Sequence, residues 1–600
     1  MTEKEFEIEV TPITTIVLVF PAIILLLYAL VFLLTNFSFL WYFAAFGVFA
    51  LSAVFVYILY KTNSHELLFT LLLLEVSIFI LLSEVQVTFS SPIAFGDEGY
   101  HTEIAKLIAK NVQYYVWMPF EQSKVMSSNF GRPPLWNLLE ASFYYLFGFN
   151  SVIVKIITPL ISVLTGLAAY GLFRKSFNTS IGFFTAIILI TIPSIVTYAD
   201  LFYVDTLLVF CVTLFLGFFL LYEKEGKRKY LITSTIFAAF AILTKVPGFV
   251  IIFFYGLYFI YEIFKTKNFN VIKKYFMIFT LLVIFLGGFA IRNIQYYNTP
   301  MCGLPIDVPL FKQNCATNPS YTAKYQFSGD SAQTGTEADV YAFGVISYFT
   351  FAYGAIWFVP LVFIIGILMI AIKREKLGLI LLIFLISLVP LFYLTYYGRA
   401  EDAARYTLSA VPVISLVAAN YLDVLAEFLV KYKKILPMFF LVAIIVISLV
   451  NFYEKNSVMQ SVKQFSPLFL GACDWVKTHL PENATLLSLY GHPTVYNCER
   501  NAVWEMQDLP DIILSNDLNL TTNRLKIDGI DYIFVQKFAM STQAYRRNYP
   551  ISFVAFLEQN PQTFKKVFEN GPDYSTCLQS GGCDGSAIYE VVFNSTKISQ

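Results

Sequence analysis

Long apolar runs, broken at intervals by short charged loops, set the frame of this 600-residue chain. A membrane-crossing helix needs ~20 predominantly apolar residues. Thirteen stretches reach or approach that length, at roughly 12–34, 39–60, 66–87, 152–173, 180–198, 203–222, 230–247, 248–264, 273–291, 346–372, 376–397, 405–427 and 435–452. The pattern therefore predicts a polytopic α-helical membrane protein with about 13 transmembrane helices. One further apolar stretch, PPLWNLLEASFYYLFG at 133–148, is short for a span and reads as a surface or re-entrant helix. Past about 453 the pattern changes: ATLLSLYG, DYIFVQK and AIYEVVF read as strands, and LFLGACDWVKTHLP and the stretch near 507–526 as helices. Residues 453–600 are thus expected to form a soluble α/β domain of ordinary size. The membrane part divides into two leading spans over 1–65 and a core over 66–452, with no internal repeat or low-complexity linker.

Composition agrees with the pattern: 57% of residues are hydrophobic and 14% charged, against 45–50% and about 25% in an ordinary soluble domain. The first ten residues, MTEKEFEIEV, lack the basic flank of a secretory signal, and the run after them is too long for a signal core, so it reads as an uncleaved span. The net charge of zero carries no information, and no aromatic-interleaved basic patch points to nucleic acid. The basic loops at 174–175, 223–229, 265–274, 373–376 and 431–434 are more telling. With 133–148 kept out of the bilayer they all fall on one side, which the positive-inside rule makes cytoplasmic. The N-terminus is then cytoplasmic, and loops 88–151 and 292–345 face outward together with the tail. Such a protein resides in the plasma membrane, or in the endoplasmic-reticulum membrane of a eukaryote.

Six of the seven cysteines lie in the outward segments, the exception being Cys211 inside a span. An even number on one face predicts disulfides, most simply Cys302–Cys315, Cys473–Cys498 and Cys577–Cys583, although the four tail cysteines allow three pairings. Sequons at Asn483, Asn519 and Asn594 point to the same face.

Ionisable residues are costly at membrane depth and mark functional sites. Here they gather at the outer side. Asp97 and Glu98 open the first outward loop; Asp200 and Asp205 flank the turn in YADLFYVDTLLVF; Lys155 and Lys245 lie near the outer ends of their helices; Arg132 precedes two prolines; Arg292, Arg399 and Arg405 complete a basic set. Each has a plainer reading. Asp97 can cap the helix that follows, the lysines can snorkel, the two aspartates can be turn residues, and Arg399 and Arg405 can pair with Glu401 and Asp402. Mid-span Glu75 can pair with another helix and is assigned no role. His101, four residues after Asp97, is read as a surface histidine, with a metal role as the alternative. Together the carboxylates and cations suit a phosphorylated lipid and a hydroxyl acceptor: a carboxylate takes the acceptor's proton and cations stabilise the departing phosphate.

The blocks DEGYHTEIAKLI, RPPLWNLLEASFYYLFG, IPSIVTYADLFYVDTLLVF and LTKVPGF, in this order, resemble the GT-C glycosyltransferases, in the branch of protein O-mannosyltransferases and lipid A aminoarabinose transferases. The resemblance covers about 80–330 and implies a GT-C fold over 66–452, with inverting transfer of a sugar from a polyprenyl (dolichyl) phosphate to a lipid, glycan or protein hydroxyl. It implies Asp97 as the catalytic acidic residue beside Glu98, Asp205 with Asp200 as a nearby alternative, and Lys245 on the lipid phosphate with Arg132; from the outer basic set, Lys155, Arg292 and Arg405 are expected around the donor as well. Arg132 stands where the lipid A enzymes usually carry lysine, and the NFG before it lacks their glutamate, so no metal of their kind is assigned, a divalent ion remaining an option. The two leading spans are extra to the family core. An oligosaccharyltransferase-like enzyme and a transporter or flippase of polyprenyl-linked glycans are the alternatives. The tail has no WWDYG-like motif, and the spans lack repeated halves.

Overall fold

A computed structural model describes residues 65–90, 96–111, 133–148, 154–267, 270–297, 299–302, 311–312, 363–368, 376–388, 407–432, 448–449, 452, 467–488, 491–504, 517–537, 551–573, 576 and 584–593. The membrane part is built from α1 (His65–Ser90), α2 (Gly96–Asn111), α3 (Leu135–Phe147), α4 (Ile157–Ser176), α5 (Thr179–Thr191), α6 (Pro193–Asp200), α7 (Asp205–Glu225), α8 (Arg228–Thr244), α9 (Val250–Thr266), α10 (Asn270–Tyr297), α11 (Lys376–Ser387) and α12 (Val411–Tyr432). Among the described residues six helices are long and apolar enough to cross a membrane, or seven if α5 and α6 count as one bent span. These seven answer to the expected spans at 66–87, 152–173, 180–198, 203–222, 248–264, 273–291 and 405–427. The stretch at 230–247 becomes α8, of 17 residues; of that at 376–397 the described part forms α11, of 12, and 389–397 lie outside the described residues. The spans expected at 12–34 and 39–60, and most of 346–372 and 435–452, lie outside the described residues. At 133–148 the helix is α3, of 13 residues, well short of a bilayer's thickness.

α7 is the hub: it packs against α4, α8, α6 and α12. Its first residue, Asp205, is an acid at the positive end of the helix dipole, and it closes on Gly226 in the left-handed region. The span expected at 180–198 is not one straight helix. Ile192 precedes Pro193 and is held extended, which breaks the ladder, so α6 leaves α5 at 51°. The outer faces of α9 and α10 expose Phe253, Phe264, Phe276, Phe279 and Ile284, a large apolar surface that suits hydrocarbon.

Charges at the end of the bundle away from Asp205 form ion pairs that tie helices together. Arg174 of α4 meets Glu66 of α1, and Lys274 of α10 bridges Glu223 of α7 and Glu262 of α9 at 2.9 and 3.0 Å. Lys376 at the start of α11 joins Glu223 at 2.8 Å. The basic loops at 174–175, 223–229 and 265–274, with Lys376, thus share one end of the bundle.

The tail builds a five-stranded mixed sheet from β3 (Thr485–Ser488), β4 (Asn501–Trp504), β5 (Tyr532–Gln536), β6 (Phe564–Asn570) and β7 (Ser586–Val591), in the order β4-β3-β5-β7-β6; β1 (Met301–Cys302) and β2 (Phe311–Lys312) pair separately. β3 is parallel to β4 and β5, and β7 is antiparallel to β5 and β6. Alternate residues feed two cores, as the strand period of two requires. Leu487, Ile533 and Val535 meet α15 (Leu518–Ile527) and α16 (Ile551–Gln559), whereas Leu486 and Phe534 meet α13 (Pro467–His479) and α14 (Gly491–Cys498). β4, β6, α14 and α16 are additions to the elements expected from the pattern. Cys473 and Cys498 form a disulfide, and Cys211 is buried in α7 as a free thiol. The pairings expected for Cys302–Cys315 and Cys577–Cys583 fall outside the described residues.

Candidate active site

The start of α7, the end of α8 and the end of α6 meet at one end of the bundle, and the buried charge collects there. α8 stops at Lys245, whose extended backbone is followed by a 3-10 turn, Val246–Phe249, opened by Val246-Pro247. Gly248 permits this turn, since a Cβ there would lie 2.4 Å from the Ala241 carbonyl oxygen. The turn directs Lys245 back to α7, where its Nζ donates to Asp205 Oδ1 at 2.6 Å. Asp205 is fully buried and the Lys245 side chain 13% exposed, so the lysine is an ion-pair partner rather than a snorkelling group.

Between the two aspartates the chain turns sharply. Phe202 sits in the left-handed region at φ 56, a conformation that costs a residue with a Cβ about 1–3 kcal/mol. Its ring packs edge-on against Trp136 of α3 at 5.3 Å, and Tyr198 stacks on Tyr203 at 5.8 Å. Thr158 at the start of α4 donates to the Ala199 carbonyl at 2.7 Å, fixing the last turn of α6. Asp200 is fully buried as the last residue of α6, not an exposed turn residue.

α2 and α3 pack together beside this turn. Asp97 is the second residue of α2, and its side chain lies outside what is described. Glu98 is buried, and so is His101, which corrects the reading of a surface histidine. Nδ1 of His101 makes a 2.6 Å hydrogen bond with Oδ1 of Asn137 on α3. Among the described residues no group of three His, Cys, Asp or Glu side chains could hold a metal ion. Lys155 and Arg292 are buried, and Arg292 donates to Asn293 Oδ1 at 2.9 Å. Arg132 and Arg405, with Arg399, lie outside the described residues.

Two further carboxyls are buried. Glu84 of α1 accepts a hydrogen bond from Ser162 Oγ of α4 at 3.3 Å. It lies in the same apolar run as Glu75, and the rule that marks ionisable residues in spans reaches both. Glu140 of α3 is the other. Burial pushes its carboxyl up to about 8, against the opposing pull of Thr102, Lys106 and Tyr144 around it. A carboxyl raised in the folded state leaves a stability that is intact below its unfolded pKa and is lost as pH rises towards about 8. Glu140→Gln removes that loss. The variant and the parent are expected to melt together in detergent at pH 5, with the variant several degrees more stable at pH 8.5. A melting difference that does not change with pH contradicts this.

In its fold the chain is similar to solved membrane enzymes, and part of it matches a family model. The family described as dolichyl-phosphate-mannose-protein mannosyltransferase matches residues 131–288. That segment holds Lys155, Asp200, Asp205 and Lys245 as well as Arg132, but not the acidic pair of α2. Among solved structures the chain is similar to ArnT from Cupriavidus metallidurans in the apo state, at 13% identity and a TM-score of 0.57, over 87% of this chain and 98% of that one. The same ArnT has been solved bound to undecaprenyl phosphate, with a TM-score of 0.56 and the same identity and coverage. The oligosaccharyltransferase AglB of Archaeoglobus fulgidus, in complex with an inhibitory peptide and a dolichol-phosphate, gives 13% identity and a TM-score of 0.55, over 85% of this chain and 74% of that one. No curated protein matches the chain as a relative.

Proposed function

We propose that the protein transfers a sugar from a polyprenyl-phosphate carrier to a hydroxyl acceptor at the outer membrane surface, with inversion at the anomeric carbon. The observation that carries this reading is the buried Asp205–Lys245 pair, placed at the same end of the bundle as the acidic helix α2. The ArnT and AglB structures, solved with undecaprenyl phosphate and dolichol-phosphate respectively, support a lipid phosphate as the donor's anchor. In this reading Asp97 takes the proton of the acceptor hydroxyl, whose oxygen attacks the anomeric carbon opposite the phosphate. The C–O bond to the phosphate breaks, and its electron pair leaves with the lipid phosphate. Lys245 stabilises that charge, with Arg132, Arg292, Lys155 and Arg405 as further cations around the donor. Asp205 holds Lys245 aimed and charged until the phosphate arrives.

The basic loops at the other end of the bundle support a cytoplasmic placement for that end, so chemistry takes place outside. The test is to incubate purified protein with a panel of radiolabelled polyprenyl-phosphate sugars, with and without hydroxyl acceptors. Turnover of one donor, including slow hydrolysis without acceptor, is the expected result. A protein that binds these lipids and moves them between leaflets of a vesicle without cleaving any would overturn it.

A further inference from the structure

The short helix α14 touches two parts of the protein at once. It packs against α2, the helix that begins with Asp97 and Glu98, and it also packs against α13 and the strands β3 and β4 of the tail sheet. Its tie to the tail is unusually firm for eight residues. Thr494 and Cys498, four apart and therefore on one face, are both fully buried. Cys498 is bonded to Cys473 of α13. Thr494 Oγ1 and Ser488 Oγ, at the end of β3, are hydrogen-bonded at 2.8 Å. Gln536, the last residue of β5, donates its Nε2 to Ser488 Oγ at 2.9 Å and to Thr494 Oγ1 at 3.3 Å. Just beyond α14, Arg500 donates to the Lys477 and Leu480 carbonyls at the end of α13, at 2.7 and 2.8 Å.

The hydroxyl–amide network thus fastens α14 to the sheet, the disulfide and Arg500 fasten it to α13, and the helix so held packs against α2. Each buried hydrogen bond of this network helps to fix the elements it joins, while the Gln536 Oε1 has no partner among the described residues. We propose that α14 is a strut through which the tail holds α2 in register with the membrane site, and that Gln536, Thr494 and the Cys473–Cys498 bond are positioning groups for the acidic pair. This rests on the reading that α2 carries the catalytic base. It makes the tail a working part of the active site through its fold, without contact between these groups and substrate.

The test uses the full chain with Thr494→Val, Gln536→Leu and the double variant Cys473→Ala/Cys498→Ala, and Thr494→Ser as the conservative control. Hydrogen exchange of the amides of Gly96–Asn111 is measured beside that of β3 and β5, with kcat and KM for the donor. Loss of a buried hydrogen bond should speed exchange in α2 about tenfold and lower kcat about tenfold, with donor KM within about twofold of the parent. Thr494→Ser should behave as the parent. Unchanged exchange in α2, in variants whose β3 and β5 amides stay protected, overturns the strut whatever happens to turnover. Faster exchange in α2 in a protein that transfers no sugar from any donor supports the strut and counts against the proposed function alone, so the two can fail separately.

Discussion

Replacing Asp97 with Asn is expected to abolish sugar transfer, by about 10³-fold or more, while leaving the fold and the binding of the lipid phosphate intact. Asparagine keeps the size of the side chain, and at the second position of α2 the change gives up only the favourable meeting of a carboxylate with the helix dipole, about 0.3–1 kcal/mol. What it removes is the ability to take a proton from the acceptor. Glu98 is a poor substitute: it is buried, and consecutive positions on a helix are about 100° apart, so the two carboxylates do not act as one unit. The measurement is kcat with the donor identified by the radiolabelled panel, together with the melting temperature and the Kd for the unsugared lipid phosphate. Transfer at the parent's rate in Asp97→Asn would remove this residue from the mechanism.

The second large effect is expected at the Asp205–Lys245 pair. Lys245→Met strips a fully buried carboxylate of its ammonium partner, and breaking a buried pair from one side costs about 3–5 kcal/mol. Asp205→Asn in the parent should cost less, because a lysine has the reach to find water that an aspartate at a helix start lacks. The double variant Asp205→Asn/Lys245→Met should recover part of the stability, because no charge is then left buried without its counter-ion. Activity should not recover with it, because the cation for the leaving phosphate is gone. A double-mutant cycle of melting free energies reads the coupling, and donor KM and kcat read the chemistry. Full activity in the stable double variant would show the pair to be a packing device only.

These two cases show how far the sequence reaches into the site. Asp205 and Lys245 were both legible as costly ions near helix ends, but the sequence left open whether Lys245 snorkels. The answer lies in a turn: Val246-Pro247-Gly248 ends α8 early and sends the lysine back across α7. Glu84 stands in an apolar run like Glu75, and Glu140 on a helix with the pattern of a surface element, so neither shows its burial partners in the sequence. His101 was read as exposed because a single histidine on a short loop helix carries no signature of its partner. Asn137 is 36 positions away, and only the packing of α2 on α3 brings the two together.

In the tail, strands that alternate strongly were visible, and β5 and β7 fall where DYIFVQK and AIYEVVF put them. β4 is four residues long, and β6 carries Lys565, Lys566 and Glu569, so neither stands out by pattern. Both are strands because neighbours supply the ladder, which is a property of the sheet and not of the segment.

By itself the sequence determined the solvent, the rough places of the seven described spans and the strands β3, β5 and β7 of the tail. Apolar length and charge placement settle such matters locally, because each residue's transfer cost is paid where it stands. The tertiary structure alone decided which charges face one another, where the span at Pro193 breaks, and that a helix of the tail seats the acidic helix Gly96–Asn111. Those outcomes depend on contacts between residues tens to hundreds of positions apart. The opening carboxylates of α2 carry the same letters in either account, but what holds them in place is the fold.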